Sequence, residues 1–211
     1  MDRAAIPVPP AKLIFDKVLG CLLIAATAPI WFLIILAIVI ETIFRPANRG
    51  GILHTETRVS VGRPFHLYKF RILKRGAEDR IRRGAVPKVV ENESANLTGV
   101  GRVLKKYGLD ELAQLINVLK GDMSFVGPRP KPTAEYMQEM TLGRFFRARV
   151  RAGLTGPVQV MKGTRRTAED EVKADWDYAE LLRSGSQLRV LLFDWRIVWR
   201  TLAVMIKGTG E

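Results

Sequence analysis

Apolar residues fall into several distinct patterns along this chain. Between Lys17 and Glu41, the run VLGCLLIAATAPIWFLIILAIVI (18–40) carries no charge and is too long and too apolar for an ordinary surface helix. Further on, Leu109, Leu112, Leu115, Ile116 and Leu119 recur at spacings of three and four, which predicts a helix burying one face and stopping at Gly121. ILHTETRV, a VGRP turn and FHLYKFRIL predict two short strands. Residues 74–96 are charged and glycine-bearing, and predict a short helix with a mobile loop. LRVLLFDWRIVWRTLAVMIKG (188–208) mixes Trp195, Trp199 and aliphatic residues with Arg189, Arg196, Arg200 and Lys207. It is too charged to cross a bilayer and suits an amphipathic helix lying in the interface; the alternative is a core helix of the soluble part.

The first pattern has a flaw at its centre. A straight helix over 18–40 would measure about 34 Å, enough to cross a hydrocarbon core of about 30 Å. Pro29 removes a backbone donor there and disfavours helical geometry at Ala28, so a kink is predicted at Ala28–Pro29. A sharp kink would leave two arms of about 17 Å, each reaching roughly mid-bilayer. Lys12 and Lys17 precede the run, Arg45 and Arg49 follow it, and basic flanks favour the cytoplasmic side. One crossing cannot satisfy both flanks, whereas a re-entrant hairpin can; a simple span with a tolerated proline is the alternative. A cleavable signal peptide fits less well, because the run is long and no small-residue cleavage site precedes the charged region.

Charge narrows the class of partner. The 211 residues include 34 Lys and Arg against 21 Asp and Glu, a formal net charge of +13, which calls for nucleic acid, phosphorylated substrate or an anionic membrane face. The stretch from Arg58 to Arg83 interleaves basic residues with Phe65, Tyr68 and Phe70, a mixture that could bind single strands or attract lipid head groups. The neighbouring apolar anchor favours the membrane surface, and no nucleic-acid-binding signature accompanies it, so no nucleic acid is expected. Cys21, the single cysteine, excludes an intrachain disulfide.

Against this basic background, Asp110 and Glu111 open the predicted helix at 109. Acids in a first turn interact favourably with the helix dipole, by about 0.3 to 1 kcal/mol each, and need no further role on that ground alone. The surrounding sequence gives them one. LTGVGRVLKKYGLDELAQLINVLKGDMSFVGPRP (97–130), with the proline-broken apolar segment, RVSVGRPFHLYKFRIL (58–73), VRAGLTGPVQV (150–160) and the aromatic, basic C-terminal helix in the same order, closely resembles the bacterial sugar transferase family, the monotopic polyprenyl-phosphate phosphoglycosyl transferases.

The resemblance, over roughly residues 12–205, implies an α+β, mainly helical fold. It comprises a re-entrant N-terminal membrane hairpin within 1–49 and a small cytoplasmic catalytic domain over 50–211, with short strands and interfacial amphipathic helices. It implies transfer of a sugar-1-phosphate from a UDP-sugar to polyprenyl (undecaprenyl) phosphate, with Mg2+ as cofactor and UMP as product. The setting is the cytoplasmic face of a bacterial inner membrane, among its lipids, and a homodimer is allowed. Asp110 corresponds to the family's nucleophile and Glu111 to its metal-binding partner, so both belong to the expected metal site. Such a division suits the chemistry: a carboxylate can take a phosphoryl group, splitting one transfer into two steps. Adjacent helical residues diverge by about 100°, so the two acids face different ways.

Other positions follow from the same comparison. Lys105 stands five residues before Asp110, where relatives often carry Arg, and can hold phosphate only as a point charge. Arg129, between Pro128 and Pro130, is a second phosphate candidate; the alternative is an arginine tying down a turn. Asp175, before Trp176 and Tyr178, is a further candidate for the metal site, and Asp122 matches the family's Gly-Asp-Met-Ser stretch, with a turn or cap residue as the alternative. His54 and His66 have no partner pattern and are expected to be structural. Ala152 and Pro157 replace a usual proline and a usual aromatic, and GGILHTETRVSVG departs from the usual Phe-Phe-Gln-rich strand. Two rival classes stay open at this stage: a membrane-anchored nucleic-acid-binding or scaffold protein, and a metal-dependent nucleotide-sugar phosphodiesterase.

Overall fold

A computed structural model describes residues 5–161 and 167–206. Lys207 and Gly208, the last two residues of the 188–208 segment, lie outside the described residues. The fold is mainly helical with a few short strands.

The long apolar run forms α1, Pro10–Phe44, which continues without interruption through Ala28 and Pro29. The hydroxyl of Thr27 donates to the Leu23 carbonyl at 2.6 Å and accepts from the Trp31 indole at 3.2 Å, two turns of local bonding around the proline. Ile14, Val18, Leu22, Phe32, Leu33, Ile43 and Phe44 are exposed, so α1 carries a large apolar surface that no protein covers among the described residues. By length and composition it could cross a membrane.

The predicted strands are β1, Leu53–Ser60, and β2, Arg63–Phe70, joined by a turn with Val61 and Gly62 at positive φ. Residues 74–96 hold the expected short helix, but a second helix stands where the loop was expected. They form α2, Arg75–Arg82, and α3, Pro87–Asn92, before α4, Gly99–Lys106. The predicted helix from 109 begins as a 3-10 turn, Leu109–Ala113, and becomes α5 only at Gln114–Lys120. There follow β3 (Ser124–Val126), β4 (Lys131–Pro132), α6 (Thr133–Thr141), α7 (Phe146–Arg149), β5 (Gly153–Thr155), α8 (Ala168–Arg183) and α9 (Gln187–Ile206). In the three-stranded sheet the order is β2-β1-β4, with β4 antiparallel to β1; β3 and β5 pair in parallel.

The chain divides into two compact units that are interleaved in sequence. The first takes in the described parts of Met1–Leu22, Glu56–Leu67 and Leu115–Glu211. Here α8 begins with a capping box between Thr167 and Asp170 and buries Asp175, Tyr178, Ala179 and Leu182, the i, i+3, i+4, i+7 stripe of a packed helix. Helix α9 buries Val190, Asp194 and Ile197, while Leu188, Leu192, Trp195, Trp199 and Leu202 are exposed. It is thus both a core helix and an apolar outer face, combining the two alternatives read from its sequence. Lys12, expected as a flanking cation beside the membrane, is instead buried in an ion pair with Asp194 and 4.0 Å from Asp16.

The second unit comprises Leu23–Thr55 and Tyr68–Gln114. Its core joins Ile34 and Ile38 of α1 to Phe70, Ile72, Leu73, Val90, Leu97, Leu104 and Ala113, with Trp31 edge-on to Phe70. Helix α4 presses so closely on the chain after β2 that a Cβ on Gly101 would lie 2.1 Å from the Ile72 carbonyl oxygen.

Candidate active site

Asp110 and Glu111 sit in the 3-10 turn that follows α4, and the left-handed Gly108 (φ 65°) makes the reversal between them. Glycine adopts that conformation without a Cβ penalty. The start of α4 is fully capped: Thr98 accepts from the Gly101 amide, while Glu41 accepts from those of Gly99 and Val100. The turn runs directly into α5, which starts four residues beyond Asp110.

Asp110 is only 7% exposed. Burial first, and the charge of Glu111 second, push its carboxyl up to about 6, against a lowering influence from Lys69. The carboxylate therefore gains its proton far more readily than a surface aspartate, and a cation beside it would favour the ionised form. Lys69 was not singled out in the sequence; its place in β2, three residues after His66 and inside the LYKF run, carries no local signal of proximity to residue 110.

Lys105 does not present a free amine. Its Nζ donates to the Glu91 carbonyl at 2.7 Å and to Asn92 at 3.1 Å, closing the C-terminal end of α3. These two contacts tie Lys105 to the end of α3.

In the other unit, Arg129 is exposed between buried Pro128 and Pro130. The loop that carries it is built by close backbone approach. Gly127 donates to Thr155 and Gly153 donates to Pro128, each at 2.9 Å, and a Cβ on Gly153 would stand 2.1 Å from the Gly127 nitrogen. Arg147 of α7 donates to the Arg129 carbonyl at 3.0 Å and to Asp175 Oδ2 at 2.8 Å. Asp175 has no exposed surface; burial, the largest influence, raises its carboxyl to about 6 even though Arg147 pulls the other way. Asp122 accepts from Asn117 at 3.0 Å in the turn after α5, which is the turn role. The His54 ring lies 3.5 Å from Glu78, and the His66 backbone carbonyl accepts from Asn117.

Asp110 and Glu111 suit a magnesium ion as a donor set. They are two adjacent hard oxygen ligands whose mutual repulsion a cation relieves, and Mg2+ is commonly held by one or two carboxylates with substrate oxygens and water completing the shell. Among the described residues no three His, Cys, Asp or Glu side chains form a ready cage. At Asp175, Arg147 bonds Oδ2 and protein encloses the group, while Oδ1 has no hydrogen-bond partner among the described residues.

Comparison with known proteins agrees with the motif reading. A family model described as bacterial sugar transferase matches residues 9–208. The UDP-glucose:undecaprenyl-phosphate glucose-1-phosphate transferase of Caulobacter vibrioides is 36% identical over 191 residues, covering 86% of this chain and 67% of that protein. The Escherichia coli K12 protein of the same description is 33% identical over 193 residues, covering 89% of this chain and 38% of its own. The UDP-N-acetylgalactosamine-undecaprenyl-phosphate N-acetylgalactosaminephosphotransferase of Aeromonas hydrophila is 33% identical over 166 residues, covering 76% and 37%. The chain thus spans about two thirds of the first relative and under two fifths of the other two. With the family model running nearly end to end, the chain belongs to the bacterial sugar transferase family.

Proposed function

We propose that this chain transfers a sugar-1-phosphate from a UDP-sugar to undecaprenyl phosphate, with Asp110 as nucleophile. The observation that carries the reading is a buried Asp110 beside Glu111 in the family's signature block. A carboxylate oxygen of Asp110 attacks the sugar-bearing phosphorus of the donor; the bond to the UMP oxygen breaks and UMP leaves with the electron pair. An oxygen of undecaprenyl phosphate then attacks the same phosphorus and displaces the Asp110 carboxylate, giving undecaprenyl diphosphate sugar. Mg2+ held by Asp110 and Glu111 would neutralise the diphosphate as charge shifts onto UMP. Arg129, exposed on a fixed loop, is the proposed cation for the donor phosphates.

The membrane arrangement belongs to the same proposal: α1 enters and leaves the bilayer on the cytoplasmic face. At its N-terminal end, Lys12 pairs with Asp194 and Asp16 accepts from the Phe125 amide; at its C-terminal end, Glu41 holds Gly99 and Val100 and Thr42 accepts from Arg71. The segment joining Val100 to Phe125 carries Arg102, Lys105, Lys106, Asp110, Glu111, Lys120 and Asp122 and is too charged to cross a bilayer. This connection supports a re-entrant course, and the outer apolar face of α9 suits an interfacial position.

UMP release from a panel of UDP-sugars with undecaprenyl phosphate tests the reading. Acceptor-dependent release that Asp110→Asn abolishes is the expected result. Efficient release of sugar phosphate without acceptor would instead make the protein a phosphodiesterase.

A further inference from the structure

Outside Asp110 and Glu111, two buried acid–cation pairs deliver hydrogen-bond donors to one short stretch of backbone. Lys12, paired with Asp194, donates to the Val126 carbonyl at 3.2 Å. The Tyr178 hydroxyl lies 3.0 Å from that carbonyl and 2.9 Å from Asp194. Three residues on, Arg147 repeats the arrangement: Nη1 to the Arg129 carbonyl at 3.0 Å, Nη2 to Asp175 at 2.8 Å, and Nε 3.6 Å from Glu139. Glu139 in turn accepts from Arg144 at 3.1 Å. Gly153 holds the intervening Pro128 carbonyl. The backbone from Val126 to Arg129 is clamped from α1, α7, α8 and β5, while the Arg129 residue itself is exposed.

A planar guanidinium can bind a carbonyl and a carboxylate at once, which an ammonium on a flexible stem does less well. An arginine largely withdrawn from solvent also needs a partner charge, and Asp175 supplies it. A loop already fixed in place loses little freedom when its exposed arginine takes up an anion, so preorganisation appears as tighter ligand binding.

We propose that Asp175 and Arg147 are positioning residues that hold the Gly-Pro-Arg-Pro backbone so that Arg129 is presented to the donor phosphates, and that Asp175 is not a metal ligand. The proposal rests on the reading of the chain as a UDP-sugar phosphotransferase. It separates two roles for buried carboxylates in this chain: Asp110 reacts, and Asp175 acts through Arg147 on a loop.

The test uses full-length enzyme in lipid nanodiscs and the UDP-sugar that supports UMP release. Asp175→Asn and Arg147→Lys are expected to raise the donor KM about tenfold, the loss of one charge-assisted contact, with kcat and the half-saturating Mg2+ concentration little changed. Arg129→Ala should raise donor KM at least as much, and adding Asp175→Asn to it should cost nothing further, because residues acting as one unit are non-additive. Multiplied effects in the double variant, or a raised Mg2+ requirement with unchanged donor KM, would overturn the proposal. Hydrogen exchange gives a readout independent of catalysis and of folding failure. The amides of Gly127, Arg129 and Lys131 should exchange faster in Asp175→Asn while those of α4 and α5 keep their protection; unchanged exchange at these three would also overturn it. Absence of UMP release by the unaltered enzyme with every UDP-sugar would sink the functional reading, while the exchange result still decides whether the clamp exists.

Discussion

Glu41, the first residue beyond the apolar stretch of α1, accepts from the Gly99 amide at 2.7 Å through one carboxylate oxygen and from the Val100 amide at 3.0 Å through the other. The end of the membrane helix thereby supplies the N-terminal cap of α4, the helix that runs through Gly108 into the turn bearing Asp110. Three consecutive amides of α4 are satisfied, two by Glu41 and one by Thr98. The amides at that N-terminus are therefore already engaged, and α1 and the helix leading into the Asp110 turn are joined by a few hydrogen bonds.

Glu41→Ala strands these amides and is expected to cost about 1.5 to 3 kcal/mol of stability, the usual range for hydrogen bonds to a charged group. Glu41→Gln, which keeps an acceptor, should cost less. Denaturant unfolding in detergent micelles checks the order; a Glu41→Ala loss no larger than an ordinary surface substitution, about 0.5 kcal/mol, would contradict it.

Asp110 should make the protein less stable as pH rises. Its folded carboxyl titrates at about 6 against an ordinary 3.8, so the folded state binds the proton more tightly than the unfolded one. Stability tied to this group is complete below about pH 4 and is lost as pH rises towards 6, approaching roughly 3 kcal/mol for a shift of this size. In buffer without Mg2+, Asp110→Asn is expected to raise the thermal midpoint at pH 8 and to change it little at pH 4. Equal effects at both pH values would contradict the assignment.

Gly101→Ala reverses the usual helix rule. In an exposed helix interior this change stabilises by about 1 kcal/mol. Here the new Cβ would meet the Ile72 carbonyl carbon at 2.7 Å and its oxygen at 2.1 Å, so α4 must move away from the core. A lowered thermal midpoint with reduced UMP release is expected, and a stabilised, fully active variant would contradict the packing described.

Residues whose signal is local were legible in the sequence. The apolar run of α1, the alternation in β1 and β2, the leucine spacing after 109 and the mixed face of α9 all appear as elements at nearly the expected positions. The Asp-Glu pair was legible because its block is long and specific. What the sequence hid depends on distant partners. Lys12 looks like a cation flanking a membrane helix, but its counter-charge, Asp194, lies 182 residues away. The 74–96 stretch has helix-breaking glycines and a proline, yet Pro87 sits in the first turn of α3, where it is tolerated, and buried Val90 anchors the helix. The crossing of Gly127 and Gly153 has no hydrophobic signature, since two backbones simply need the same space.

Membrane topology has a direct check. Single cysteines at Ala5 and Arg49, both exposed, in a Cys21→Ala background should be labelled only from the cytoplasmic side if α1 is re-entrant. Labelling from opposite sides would establish a span. Arg49 serves better than its neighbour Asn48, which is buried and bonded to Glu41.

The central claim is that the Asp110 carboxylate carries the phosphosugar. Intact-mass measurement of the enzyme incubated with Mg2+ and its UDP-sugar, without undecaprenyl phosphate, should show an added sugar phosphate that maps to the peptide holding Asp110. The adduct should vanish on adding acceptor and be absent from Asp110→Asn while Asp175→Asn still forms it. An adduct that persists in Asp110→Asn, or acceptor-dependent UMP release by that variant at the rate of the unaltered enzyme, would contradict the account.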